Sequence, residues 1–250
     1  MQIFYVLMSK WDLLADARYF PFGYIVQVII YSSLFVVTLL FVGKLDLGAV
    51  GLKLTGSWRL FLVIGLVFAL FNVVIRMVVL QGTFTLSYFV HRYTVPLVLY
   101  IADYMLLGIL IGLAEESAFR GHILGNFLKR YSPIAAILAS SVFFSVYHVN
   151  FADLNYYSLF FWGLYVMQAL TGGIFMALLY FKGGGIIIGP IAYHSGQIIL
   201  GQLIPWTPIV SSEYLLAIAT IINIAQMVVL ILLPLGRGLR EKKISSEHPP

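Results

Sequence analysis

Long apolar stretches alternate with short polar breaks along almost the whole chain. Seven of them reach or approach the ~20 apolar residues that a helix needs to cross a hydrocarbon core about 30 Å thick. They are 22–43, 60–80, 95–113 with a continuation towards Lys129, 134–148, 156–181, 185–204 and 214–234. No segment shows the alternation of a membrane barrel strand, and an open sheet would leave backbone groups unsatisfied in lipid. The pattern predicts an all-α fold, a polytopic membrane helix bundle of about seven transmembrane helices, or eight if the N-terminus adds one. No two stretches repeat each other, which argues against an inverted-repeat transporter.

Both ends depart from the pattern. Residues 1–18 begin apolar but carry Lys10, Asp12, Asp16 and Arg18. They are too short and too charged to span, and no small-residue cleavage site follows, so they predict an interfacial amphipathic helix. Residues 237–250 are polar and basic and predict a frayed cytoplasmic tail. Residues 1–236 then form one integral-membrane domain.

Composition sharpens this reading. Apolar residues make up 61% of the chain and charged residues 10%, against about 25% charged in a soluble globule. A water-facing surface cannot be covered with so few charges. With no cysteine, disulfide scaffolds and Cys-ligated metals are excluded. The net charge of +5 does not point to nucleic acid, because the basic residues sit in short loops and the tail. In a seven-span topology one side carries Lys44, Lys53, Arg59, Lys129, Arg130, Lys182, Arg237, Arg240, Lys242 and Lys243. The other side carries Lys10, Arg18 and Arg92. That asymmetry predicts a cytoplasmic C-terminus and an outside N-terminus.

Five ionisable residues fall in or beside the spans: Arg76, Asp103, Glu115, Glu116 and Arg120. Each costs about 2.5–3.5 kcal/mol near the bilayer centre if unpaired, on the order of 15 kcal/mol together. They must pair, line a wet cavity, or both. Arg76 and Asp103 are expected to pair across the second and third spans. Glu116 and Arg120 stand at i, i+4 with the acid first, the favourable order on a helix. Glu115 points about 100° away and stays free. The plain alternative is that the acids only mark a helix end in water.

His148 ends the next span. A lone histidine in an apolar helix is usually a hydrogen-bonded core residue, but its depth argues for more. Glu115 lies 16 residues before Tyr131 and His148 lies 15 after Pro133, so both stand ~22–24 Å from the turn. An antiparallel hairpin would bring acid and imidazole level. His194 lies 9 residues beyond Gly185, which closes the break Lys182-Gly183-Gly184-Gly185. Gly172, Gly173 and Gly196 read as a small-residue packing seam.

One free carboxylate and two imidazoles allow two chemistries. In the first, without metal, Glu115 takes a proton from water, His148 holds that water, and His194 donates to the developing oxyanion. In the second, Glu115, His148 and His194 bind zinc and an activated water. Ser145 and Ser195 lack a nucleophile-elbow motif.

The set Glu115-Glu116-x-x-Phe119-Arg120-Gly121, Phe144-x-x-x-His148 and His194 after a glycine break resembles the three motifs of the CAAX prenyl endopeptidase and bacteriocin-processing family, intramembrane proteins also called type II CAAX proteases. The resemblance covers 113–199. It implies an endopeptidase that cleaves near the C-terminus of a membrane-associated, in the best-understood cases prenylated, protein. By resemblance Glu115 and His148 activate water, Glu116 and Arg120 support them, Arg120 also meets a substrate carboxylate, and His194 helps form the oxyanion hole. No cofactor is implied, though the donor set admits zinc. The partners implied are the lipid bilayer and a peptide or prenylated protein C-terminus. The family has Asn or Asp four residues after the third-motif histidine; this chain has Ile198. Gln197 and Asn223 are the candidates to replace that donor. The departure motivates a second reading, a catalytically weak or inactive membrane scaffold or immunity-type protein of the same fold.

Overall fold

A computed structural model describes residues 20–41, 46–48, 50–52, 54, 56–79, 83–84, 97–149, 157–203, 206–207 and 212–235. The interfacial helix expected at 1–18 and the tail expected at 237–250 lie outside the described residues. Every apolar stretch is a helix: α1 (Phe20–Phe41), α2 (Trp58–Val79), α3 (Leu97–Glu116), α4 (Pro133–Tyr147), α5 (Leu159–Lys182), α6 (Ile188–Leu203) and α7 (Ser212–Leu232). A two-residue antiparallel pair, β1 (Thr83–Phe84) with β2 (Trp206–Thr207), registers Thr83 on Thr207 beyond the ends of α2 and α6.

Among the described residues, three helices are long and apolar enough to cross a membrane: Trp58–Val79, Leu159–Lys182 and Glu213–Leu232. Among the shorter apolar helices, α4 has 15 residues and runs only ~22 Å. Leucine, valine and phenylalanine side chains stand exposed along the outer faces, with Val63, Val67, Phe143 and Ile221 all more than half exposed. Such faces suit lipid and not water. The chain is a helical integral membrane bundle.

The turns follow local sequence chemistry. Ser132 caps α4 by accepting from Ala135 N at 3.3 Å, with Pro133 in the first turn, where its missing N–H costs nothing. Ser158 caps α5 in the same way through Phe161 N. After α5, Gly184 and Gly185 take φ of 71° and 85°, conformations open to glycine. Lys182 donates to the carbonyls of Leu230, Ile231 and Leu233 at 2.7–2.9 Å. Leu230 and Ile231 lie in the last turn of α7 and Leu233 just after it, so the ammonium ties the end of α7 to α5.

Helix α6 is the centre of the bundle and packs on α2, α3 and α5. A Cβ on Gly196 would stand 2.8 Å from Ala69 Cβ, so the expected small-residue seam holds α6 against α2. The expected Arg76–Asp103 pair does not form. Arg76 Nε donates instead to the Asn72 carbonyl of its own helix. Arg76 lies on α2 and Asp103 on α3, and α6 packs against both helices.

Candidate active site

Helix α3 does not continue as an α-helix through the first motif. From Ser117 to Leu124 it is π-helical, with Gly125 N–H donating to the Arg120 carbonyl five residues back, and it ends in a last α-turn, Gly125–Phe127. Such segments are uncommon and recur at functional sites. Gly121 shows why the motif needs glycine. A Cβ there would collide with the carbonyl of Val50, in a loop pinned to the start of α6 by Ile187 N–H donating to Gly51 O.

The two adjacent acids split as their angular separation implies. Glu116, 0% exposed, accepts from Arg120 Nη1 at 3.0 Å and meets His194 Nδ1 at 2.9 Å. Arg120 Nη2 donates to the Gly173 carbonyl at 3.1 Å, and the guanidinium lies over the Phe144 ring at 4.2 Å. With 1% of its side chain exposed, Arg120 supports Glu116 and presents no face to a substrate carboxylate.

Glu115 lies within reach of both imidazoles. Its Oε1 accepts from Tyr147 OH at 3.5 Å. Its Oε2 has no hydrogen-bond partner among the described residues and stands 3.7 Å from His148 Nε2 and 3.9 Å from His194 Nε2. The counted depths therefore match: acid and imidazole meet across the α3–α4 hairpin. His148 is the C-cap of α4, and its Nδ1 lies 2.8 Å from the Phe144 carbonyl. That carbonyl can only accept, so Nδ1 carries the proton and the neutral ring turns its Nε2 lone pair towards Glu115. Phe144 thus has two tasks in Phe-x-x-x-His, one through its carbonyl and one through its ring under Arg120.

A cavity of ≈ 120 Å³ adjoins both histidines. One wall is apolar, with Phe144, Ala169 and Met176; the other carries Gln168, Gln197 and Asn223. Gln197 Nε2 is buried without a hydrogen-bond partner. Asn223 Nδ2 is occupied by the Gln168 carbonyl and Thr171 Oγ1, and its Oδ1 accepts from Asn72 and Tyr193. Ile198 is absent from the lining: α6 turns residues 193, 194 and 197 to the cavity. Ser145 donates to the Val166 carbonyl.

Glu115, His148 and His194 are also the donors of the zinc reading. Among the described residues, no three His, Asp or Glu side chains form a group that could hold a metal ion.

Sequence reasoning singled out Asn223 but missed Tyr147 on Glu115 and the network that joins Asn223 to Asn72, Tyr193 and Gln226. In that network Gln226 Oε1 accepts from Tyr193 OH at 2.9 Å and from Asn72 Nδ2 at 3.2 Å. Carboxamides set inside apolar helices, Asn72 in α2 and Asn223 with Gln226 in α7, were the available signal.

Comparison with known proteins agrees with the motifs. No curated protein and no solved structure matches the chain. Residues 95–200 match a family model described as Rce1-like, Type II CAAX prenyl endopeptidase Rce1-like. The matched stretch holds all three motifs and every acid, arginine and imidazole that meets at Glu115 and Glu116. Over residues 95–200, less than half of its length, the chain is similar to the type II CAAX prenyl endopeptidase family.

Proposed function

We propose that the protein is an intramembrane endopeptidase that hydrolyses a peptide bond near the C-terminus of a membrane-associated protein or peptide, prenylated or not. The observation that carries this is Glu115 Oε2, buried, unbonded and facing the Nε2 atoms of two imidazoles. A water about 2.8 Å from both Glu115 Oε2 and His148 Nε2 forms a triangle on that separation with ordinary hydrogen-bond lengths. Glu115 takes the proton as the water attacks the carbonyl, and His148 orients the water through its lone pair; when the tetrahedral intermediate collapses, the C–N bond breaks and Glu115 returns that proton to the leaving amine.

The developing oxyanion needs donors. His194 serves if Nε2 carries a proton while Nδ1–H donates to Glu116, which makes it an imidazolium. The cluster Glu115⁻, Glu116⁻, Arg120⁺ and His194⁺ then sums to zero, the state that a low-dielectric site tolerates best. Gln197 is the second donor, because it lines the cavity next to His194, whereas the Asn223 amide is engaged by Gln168 and Thr171. Since Ile198 does not line the cavity, its presence gives the inactive-scaffold reading no support. The reaction so described uses no metal or cofactor and no nucleic acid.

The same reading extends to topology. All seven helices enter the bilayer, an amphipathic helix lies at the N-terminal interface, and the C-terminus is cytoplasmic. The test is cleavage of a lipid-anchored peptide by purified protein, with and without chelator. Glu115→Gln should abolish hydrolysis while shifting thermal stability by less than about 1 kcal/mol, the scale of a substitution that keeps size and hydrogen bonding. Unchanged turnover by that variant removes the mechanism, and loss of wild-type turnover on chelation replaces it with zinc.

A further inference from the structure

We propose that the cavity opens away from the basic loops, so that the substrate is the C-terminal region of a peptide or protein on the extracytoplasmic side of the membrane; this rests on the hydrolytic reading above. The structure gathers the described basic loop residues at one end of the bundle. Helix α4 starts just after Lys129 and Arg130, α5 ends at Lys182, and Arg59 stands in the first turn of α2. Close approaches join these ends. A Cβ on Gly125 would stand 3.3 Å from Tyr180 OH, and one on Gly183 would stand 3.5 Å from Phe61 Cδ1. At the opposite end lie the start of α7 with Glu213 and the β1–β2 pair. Among the described residues the cation towards that end is Arg76, which turns back to the Asn72 carbonyl.

The cavity closes towards the basic end. Phe119, Phe175 and Leu179 continue the apolar wall of Phe144 and Met176 on that side, in one buried core. Three helices show the same gradient of exposure among the residues that line the cavity. Along α4, Phe144 is 4% exposed, and the side chain of His148, one turn farther from the basic end, is 25% exposed. Along α5, Met176 and Gly172 are buried, and Gln168, farther from the basic end, is half-buried. Along α6, Tyr193 is buried and Gln197, one turn on, is half-buried. Helices α4 and α6 run away from the basic end and α5 runs towards it, so the gradient belongs to the place and not to the chain direction. Beyond the cavity, Tyr157, Phe161 and Tyr165 stack in a column at the start of α5, with centroids 4.3 and 6.2 Å apart. Tyrosines there suit a membrane–water interface, and the positive-inside rule assigns the basic end to the cytoplasm. A cytoplasmic chain would have to pass the buried aromatic core to reach Glu115 and His148. A chain on the other side meets Gln168 and Gln197, whose carboxamides can satisfy a peptide backbone in a water-poor site.

The chain has no cysteine, so a single introduced thiol reports its own access. The probe is a charged, membrane-impermeant methanethiosulfonate, applied to intact cells and to inside-out vesicles that hold the whole chain. Gln168→Cys and Gln197→Cys should react in intact cells, and Lys129→Cys only in inside-out vesicles. Two cavity positions keep the test readable if one variant fails to fold. Cavity thiols that react only in inside-out vesicles, or from neither side, overturn the proposal, and so does labelling of Lys129→Cys in intact cells. The second arm uses the wild-type protein and a lipid-anchored peptide. The peptide should be cut when presented outside intact cells, and in sealed inside-out vesicles only after detergent opens them. Cutting in sealed inside-out vesicles overturns the proposal and keeps hydrolysis. No cutting even in detergent, with the cavity thiols labelled from outside, removes hydrolysis and leaves the outward opening standing.

Discussion

Replacing Arg120 with methionine keeps most of the side-chain volume and removes the charge. Glu116, 0% exposed, would lose its contact at 3.0 Å, the Gly173 carbonyl would lose its donor, and the Phe144 ring would lose the cation above it. Removing one partner of a buried pair costs about 3–5 kcal/mol. An orphaned buried acceptor adds about 1–3 kcal/mol, and a desolvated cation–π contact about 2 kcal/mol. These share atoms and do not add, and His194 Nδ1 still faces Glu116. We therefore expect a loss of about 3–5 kcal/mol, read as reversible unfolding in bicelles. The diagnostic is the double variant with Glu116→Gln. If the loss comes from a stranded carboxylate, neutralising it should recover at least about 1 kcal/mol relative to Arg120→Met alone. A loss below about 1 kcal/mol for Arg120→Met, or a double variant no more stable than the single, refutes the account.

Gly121→Ala should destabilise by about 1–3 kcal/mol, as overpacking does, because a Cβ meets the Val50 carbonyl. Gly163→Ala, where a Cβ has open space, should be neutral or stabilising by up to about 1 kcal/mol; equal effects in thermal melts contradict the packing. Gln197→Leu should lower peptide turnover by about 10²–10³, the scale of one lost oxyanion donor. Ile198→Asn should change it less than about tenfold, and the reverse order in single-turnover rates moves the donor to position 198. A protease-sensitive tag after Pro250 should resist protease added outside intact cells, and cleavage there inverts the proposed topology.

The site was legible where rigid helix geometry alone decides it. Glu115, Glu116 and Arg120 occupy little more than one turn, so their relative directions follow from the residue count. The match of Glu115 with His148 needed only the rise per residue and the turn at Ser132-Pro133. Legibility ended where the order of helices around the bundle matters. The pairing of Arg76 with Asp103 looked reasonable for consecutive spans, but α6 packs against both of their helices. Asn72, Tyr193 and Gln226 lie in three different helices, and nothing in their own segments indicates that they meet. The π-helical turn was invisible because hydrophobic periodicity over eight residues does not separate 3.6 residues per turn from a wider helix. The place of Gln197 followed from the rotation of α6, which four-residue spacing from His194 does not reveal.

The central position of α6 has a consequence for biogenesis. Helices α2 and α3 emerge from the ribosome long before the segment on which they pack: the Asn72–Tyr193 bond alone joins residues 121 apart. Until α6 arrives, Asn72 lacks Tyr193 and both acids lack His194, and the glycine faces of α2 and α3 have no surface to close on. The hairpin of α3 and α4 can pair Glu116 with Arg120 within itself, but it cannot enclose Glu115. Insertion and closure are therefore separate events, with the early helices waiting in the bilayer or beside the insertion machinery. The segment from residue 188 onwards then supplies the surface that closes the helices made before it.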